Sequence, residues 1–371
     1  MTEIYDDIMK ELEGRSCYMA NVYAPYYIIS YACHKFNIMN NDRKIYYKNM
    51  NIPNTRMHLN FVSPPGYMKT HYLTHMGGSP TSIFHDVGTS MIHRQSVNEA
   101  SFIGTTSMGD RREGIAERFQ HSVIMVDEFS GITQALKSQY NNQFESQLLA
   151  ILDHGHVYKD MANGAFSYTT RLTLWTGIQP TRLDISSGLG RRFIYMLYIP
   201  TPHDNKLLLD IQSQTRNLAP NMRELNQLWA KIKTFNDDIE KIKSLTFDSS
   251  IDELYHKLHL YNFEAGYFDS IVIGYNLAKY GVGRNVNIGI FDDTIERIIT
   301  QQKKWRTDIQ KGIDFSMVIN LISATGNSIE IGAMVERCLM YGWDATTLGN
   351  IIKAMVDAGL VKKQGRELVL V

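Results

Sequence analysis

The 371-residue sequence predicts an α/β protein with a parallel sheet, followed by a helical region and a small C-terminal unit. Three observations lead there. The run "HSVIMVDEF" is continuously apolar from Val123 to Val126, the pattern of a strand buried on both faces. Strand-like runs alternate with helical stretches between 56 and 204. Beyond about 205 the spacing of apolar residues turns helical, and the last stretch reads as a unit of its own.

Residues 1–55 read as an N-terminal helical segment of one or two tyrosine-rich helices, ending in a polar loop from Asn40 to Asn54. "MHLNFVSPPG" is a short apolar strand entering a loop. "QALKSQYNNQFESQLLAILD" is a helix. "YTTRLTLWTG" is a strand by its β-branched and aromatic residues, and "RRFIYMLYIP" is another, stopped by Pro200. Over 205–312, "MRELNQLWAKIKTFNDDIEKIKSL" and "SIVIGYNLAKYG" keep helical spacing. Residues 313–371 form the last unit.

Composition excludes several classes. Hydrophobic residues make up 44% of the chain, enough for a sizeable core. The formal net charge is zero, so a basic field over the whole chain is absent and nucleic-acid contact would need local patches. Cys17, Cys33 and Cys338 are odd in number and far apart, which supports neither a disulfide framework nor a zinc site. The N-terminus lacks the basic start and apolar run of a signal peptide, and no apolar run approaches the ~18 residues of a membrane span. The expectation is a soluble, cytoplasmic protein with no membrane partner.

Two segments carry chemistry. "SPPGYMKT", Ser63 to Thr70, has the spacing of a phosphate-binding loop with both consensus glycines replaced, by Ser63 and Met68. Gly66 allows close backbone approach, Lys69 reaches terminal phosphates, and Thr70 offers a hydroxyl to Mg²⁺ at a helix start. Pro-Pro-Gly also makes a turn by itself. The preceding strand and following helical run are the context the phosphate-binding reading requires. In the second segment an apolar strand ends in Asp127 and Glu128. There Asp127 would orient the Mg²⁺ shell and Glu128 would polarise an attacking water. Thr176, at the end of "RLTLWTG", would face the γ-phosphate or that water. Arg191 and Arg192 lie on a glycine-bounded turn before a strand, where an arginine can complete a neighbouring subunit's site.

The order of these elements resembles the AAA+ ATPases of the helix-two-insert branch, and within it the minichromosome maintenance (MCM) helicases. "IMVDEFSGI" resembles that family's Walker B run. "EASFIGTTSMGDRREGIAE" resembles the segment leading through its helix-two insert. "LLAILDHGHVYKDMANGAFSYTTRLTLWTG" resembles its helix, pre-sensor hairpin and sensor-1 strand. The likeness covers roughly 56–200 well and 260–371 loosely. It implies a P-loop AAA+ core (56–204), a helical lid (205–312) and ATP with Mg²⁺ as cofactors. Nucleotide would be held by Pro65, Gly66, Tyr67, Met68, Lys69, Thr70 and Asp127, and the metal by Thr70 and Asp127. Glu128 would be the base, Arg192 the arginine finger with Arg191 its rival, and Thr176 the sensor. Arg284 is the substitute for a second sensor. The hairpin tip, placed near Tyr158, Lys159 and Asp160, would offer Lys159 to DNA. A homohexameric DNA translocase or helicase follows, lacking the family's N-terminal modules, as in a virus or mobile element.

The last segment resembles a winged helix. Asp344 reads as an N-cap, "DATTLGNIIKAMVDAG" as the recognition helix with Thr346, Thr347, Asn350 and Lys353 on its polar side, and "LVKKQGRELVLV" as the wing with Lys362, Lys363 and Arg366. Those cations would contact DNA phosphates, unless the unit serves protein contacts. Two other readings stand beside the helicase: an ATP-switch replication initiator or loader, and a protein remodeller of the MoxR kind.

Overall fold

A computed structural model describes residues 2–40, 46–47, 50–51, 55–107, 110–136, 142–161, 164–183, 188–215, 219–260, 262–311, 313–339 and 345–371. It is mixed α/β. The expected parallel sheet has five strands: β1 (His58–Val62), β2 (Met91–Ser96), β3 (Val123–Glu128), β4 (Thr173–Ile178) and β5 (Phe193–Leu197). Their order across the sheet is β5-β1-β4-β3-β2, and every pairing is parallel. From β1 the chain crosses to the far edge, returns through β3 to β4, and then passes β1 to reach β5. Adjacent strands β1 and β4 thus send their connections in opposite directions. Such a reversal opens a crevice beyond the carboxyl ends of the strands.

Burial follows position. β1, β4 and β5 are buried along their whole length, and β3 is buried up to its two terminal acids. β2, "MIHRQS", runs along an edge and is half-buried to exposed. It lacks the apolar run that marks a buried strand in a sequence.

The N-terminal helices pack into the main core. Helices α1 (Tyr5–Gly14) and α2 (Ala20–Met39) belong to one core running from Ile4 to Ile309. α2 is buried along most of its length, as a helix without a polar face must be. Its Tyr27 stacks on Tyr72 of α3 (Lys69–Leu73) at 5.7 Å between ring centroids. Trp175 of β4 donates its indole N–H to Ser30 at 2.8 Å.

Two hairpins leave this core. Helix α4 (Glu99–Ile103) leads into a hairpin of 104–107 and 110–113, and α5 (Ile115–Arg118) follows. The expected long helix after β3 consists of α6 (Ser130–Leu136) and α7 (Asn142–Asp153), with 137–141 outside the described residues. A second hairpin pairs His156–Met161 with Gly164–Thr169, so Tyr158–Asp160, expected at its tip, lie within its first strand. The hairpins dock on each other's roots. The Arg111 guanidinium lies 5.1 Å from the Phe166 ring centroid, and Tyr168 donates to the Ile103 carbonyl at 3.0 Å.

After α8 (Pro202–Thr215), the helical region holds α9 (Met222–Ile239), α10 (Ser250–Lys257), α11 (Asn262–Tyr280) and α12 (Asp293–Lys311). It also holds a parallel ladder, β6 (Ser244–Phe247) with β7 (Asn285–Ile288). α11 packs along α2, and Trp305 of α12 stacks flat on Tyr23 at 5.5 Å. The C-terminal unit has its own core, from Met317 to Leu368. It comprises α13 (Ile313–Ser323), α14 (Ile331–Leu339), α15 (Ala345–Asp357) and a sheet of order β8-β10-β9: β8 (Ser328–Glu330), β9 (Val361–Gln364), β10 (Glu367–Leu370). The helices and hairpin fall where the sequence put them, and β8 is an addition. The N-cap assigned to Asp344 lies outside the described residues. Among the described residues no helix is long and apolar enough to cross a membrane.

A buried polar floor closes the amino ends of the strands. Arg56 donates to the carbonyls of Leu172, Ile151 and Asp153 at 2.9, 3.0 and 2.9 Å, capping the last turn of α7. His58 and His34 are fully enclosed. His58 accepts the Leu174 N–H at 3.0 Å, and His34 lies 2.8 Å from the Thr173 hydroxyl. Burial lowers the His34 pKa to about 3 and holds His58 well below its ordinary value. Unfolding lets both take up protons near their usual pKa, so below about 6.5 the unfolded chain binds more protons and stability drops as the pH is lowered. The prediction is a loss of roughly 3 kcal/mol attributable to His34 alone between pH 7.5 and pH 4. Urea denaturation at both pH values checks it, and His34→Gln should flatten that slope.

Candidate functional site

The site begins where β1 ends. Val62 is followed by Ser63, Pro64 and Pro65, and α3 begins at Lys69. Two residues of this loop have left-handed backbone: Gly66 at φ 80° and Met68 at φ 55°. For methionine that conformation costs on the order of 1–3 kcal/mol. Burial of its side chain, which is 6% exposed, offsets the strain. Ser63, in the other glycine-like position, holds the loop closed by donating its hydroxyl to the Tyr67 carbonyl at 2.7 Å.

Lys69 turns back into the loop. Its ammonium donates to the carbonyls of Ser63 and Pro64 at 2.6 and 2.8 Å, and the residue is 8% exposed. Burial lowers its pKa to about 8, against the opposing pull of the Glu128 and Asp127 carboxylates. Its stem lies against β4 at Gly177. A Cβ there would lie 2.8 Å from Lys69 Cδ and 2.5 Å from the Asp127 carbonyl oxygen, so the contact requires glycine.

The two acids at the end of β3 have different partners. Asp127 Oδ1 lies 3.0 Å from His93 Nε2 on the edge strand β2. Glu128 accepts the Ser130 backbone N–H with one oxygen and the Gln179 amide N–H with the other, each at 3.2 Å. Gln179 precedes a turn, Pro180–Arg182, and Arg182 donates to the Ser130 hydroxyl at 3.1 Å. The segment after β4 therefore grips both ends of the acidic turn.

The structure thus brings Lys69, Asp127 and Glu128 together. Pro65, Gly66 and Thr70 are exposed around them, and Tyr67 is half-buried with its hydroxyl donated to Asn205 at 2.5 Å. Thr176 does not join them. It is 1% exposed and donates to the Leu59 carbonyl at 3.0 Å, because it lies within the strand and not beyond its end. The polar group beside Glu128 is Gln179. A Gln-Pro pair immediately after an apolar strand was the available signal for it. His93 sits in a polar edge strand and gave no signal.

The other expected residues are dispersed. Lys159 pairs with Glu99 at 2.9 Å and is turned into the hairpin's packed face, so it is not the free cation of a tip. Arg192 is tied to Asp153 with contacts of 2.9, 3.0 and 2.5 Å, whereas Arg191 is exposed and forms no ion pair with the described residues. Arg284 is exposed at the start of β7, where its carbonyl accepts the Lys243 N–H. Thr346, Thr347, Asn350 and Lys353 are exposed on α15, as are Lys362, Lys363 and Arg366 on and beside the terminal hairpin.

Gly177→Ala is predicted to destabilise the fold by about 1–3 kcal/mol through forced contact with Lys69 and the Asp127 carbonyl. Urea denaturation measures this directly. No protein-family model matches the chain, and no curated protein matches it.

Proposed function

We propose that the chain is a nucleoside-triphosphatase of the AAA+ kind, resembling the MCM helicases, which couples hydrolysis to movement on DNA. One observation carries this reading: a loop lysine and an Asp-Glu pair from a non-adjacent strand meet at the carboxyl ends of a parallel sheet, beside its reversal of strand order. The residues fit ATP and Mg²⁺ in their chemistry. Lys69 is a cation held by carbonyl oxygens that phosphate oxygens can replace. Thr70 and Asp127 are hard oxygen donors, the sparse set with which Mg²⁺ bridges protein and phosphates. When bound, the metal neutralises charge on the phosphates.

In this reading Lys69 leaves the Ser63 and Pro64 carbonyls and pairs with the terminal phosphates. Glu128 takes the proton of the attacking water, and Gln179 keeps its carboxylate turned toward that water. Arg191 is the better candidate to enter a neighbouring subunit's site, since Arg192 is committed to Asp153. With Lys159 paired to Glu99, the exposed cations for DNA are Lys353, Lys362, Lys363 and Arg366. A hexameric ring supplies the subunit interfaces.

A specific observation favours a second reading, the ATP-switch initiator or loader. Methionine in a left-handed position and a lysine bonded to its own loop both raise the cost of seating a triphosphate. That geometry suits slow turnover.

Steady-state ATP hydrolysis with and without single- and double-stranded DNA tests the proposal. Turnover should be stimulated by DNA and lost in Lys69→Ala. Glu128→Gln should lose about 10²–10⁴-fold while still binding nucleotide. Turnover equal to that of Lys69→Ala overturns the motor reading. Nucleotide affinity should also depend on pH. Phosphate favours the charged lysine, so binding should weaken as pH rises through about 8, where free Lys69 loses its proton. Titration of a fluorescent nucleotide at pH 7, 8 and 9 measures it; a flat profile contradicts the lysine's assigned role.

A further inference from the structure

The segment that grips Glu128 also touches the C-terminal unit. Helix α13 lies against the Pro180–Arg182 turn. Ile199, just beyond β5, packs against both the main core and the C-terminal core. The C-terminal unit therefore rests at the carboxyl end of the sheet, beside the acids. From α13 the path to the acid is short. The turn passes to Gln179, which donates to Glu128, and Arg182 donates to Ser130, whose own backbone N–H is bonded to Glu128. The Gln179 amide and the Ser130 N–H together use both Glu128 oxygens. A shift of the turn must alter them together, because the residues from Gln179 to Arg182 form a single tight element.

We infer that the C-terminal unit sets the position of Glu128 through the Gln179–Arg182 turn, with Gln179 as the positioning residue. This rests on the nucleotide-site reading for its consequence, but not for the coupling itself. A partner that binds the C-terminal unit and displaces α13 would loosen Gln179 and change the rate of hydrolysis. Nothing has to reach the crevice.

The test uses the full chain and two readouts. Hydrogen exchange of residues 123–131 reports the acidic turn without nucleotide, and kinetics report kcat and KM. Ile199→Ala, with Ile199→Val as the milder cut, weakens the docking. Gln179→Ala removes the link, and Gln179→Asn restores an amide. Exchange at 128–131 should rise several-fold in Ile199→Ala and in Gln179→Ala, and the double variant should resemble Gln179→Ala alone. Gln179→Ala should lower kcat with KM unchanged, and Gln179→Asn should recover part of it. Faster exchange confined to 313–371 in the Ile199 variants overturns the inference, as do strictly additive effects. If no variant hydrolyses ATP but exchange at 128–131 follows the expected pattern, the coupling stands and the nucleotide reading falls.

Discussion

The site depends on a lysine stem lying flat against one glycine of the sheet. Lys69 emerges beyond β1 and the acids end β3, and β4 lies between them. Gly177 clears the way, with its Cα hydrogen facing the Lys69 stem. All the rest follows from parallel strands. Their carboxyl ends point one way, so the loop after β1, the acids after β3 and the turn after β4 share one crevice. The buried floor of Arg56, His34 and His58 closes the other end, where no such convergence exists.

The loop after β1 manages without its glycines by local compensation. Met68 accepts a strained backbone and places its side chain in the core. Ser63 uses its hydroxyl to hold the loop's width. Pro64 and Pro65 contribute no N–H to a phosphate, so fewer backbone donors face the crevice than in a glycine-rich loop. The ammonium of Lys69 satisfies the loop carbonyls in their place. A loop so closed is stable without a ligand, which places the energetic demand on opening it.

The cations tell a related story. Arg111, Lys159 and Arg192 each bond within the chain, to Glu117, Glu99 and Asp153. The period of a strand decides this for Lys159. Val157 and Lys159 share the covered face, where Lys159 meets Glu99 of α4, while Tyr158, 63% exposed, faces away. One residue along the hairpin separates an exposed side chain from a half-buried, ion-paired one.

Much was legible from residue patterns. The continuous apolar run of β3, the β-branched run of β4, and the alternation of α15 and its hairpin are local signals that tertiary context reinforced. The placing of Lys69, Asp127 and Glu128 at the carboxyl ends of their strands was legible too, because spacing along each strand decides which residues reach its end. What the sequence determined by itself was therefore periodic or punctuated: strands, helices and the ends that carry polar groups. The tertiary structure decided the rest. It buried α1 and α2 in the core, chose Gln179 over Thr176 beside Glu128, and brought His93 to Asp127 from a strand with no apolar pattern. Those outcomes depend on which strands are neighbours and which face is covered. They are long-range packing choices, and no local stretch of residues encodes them.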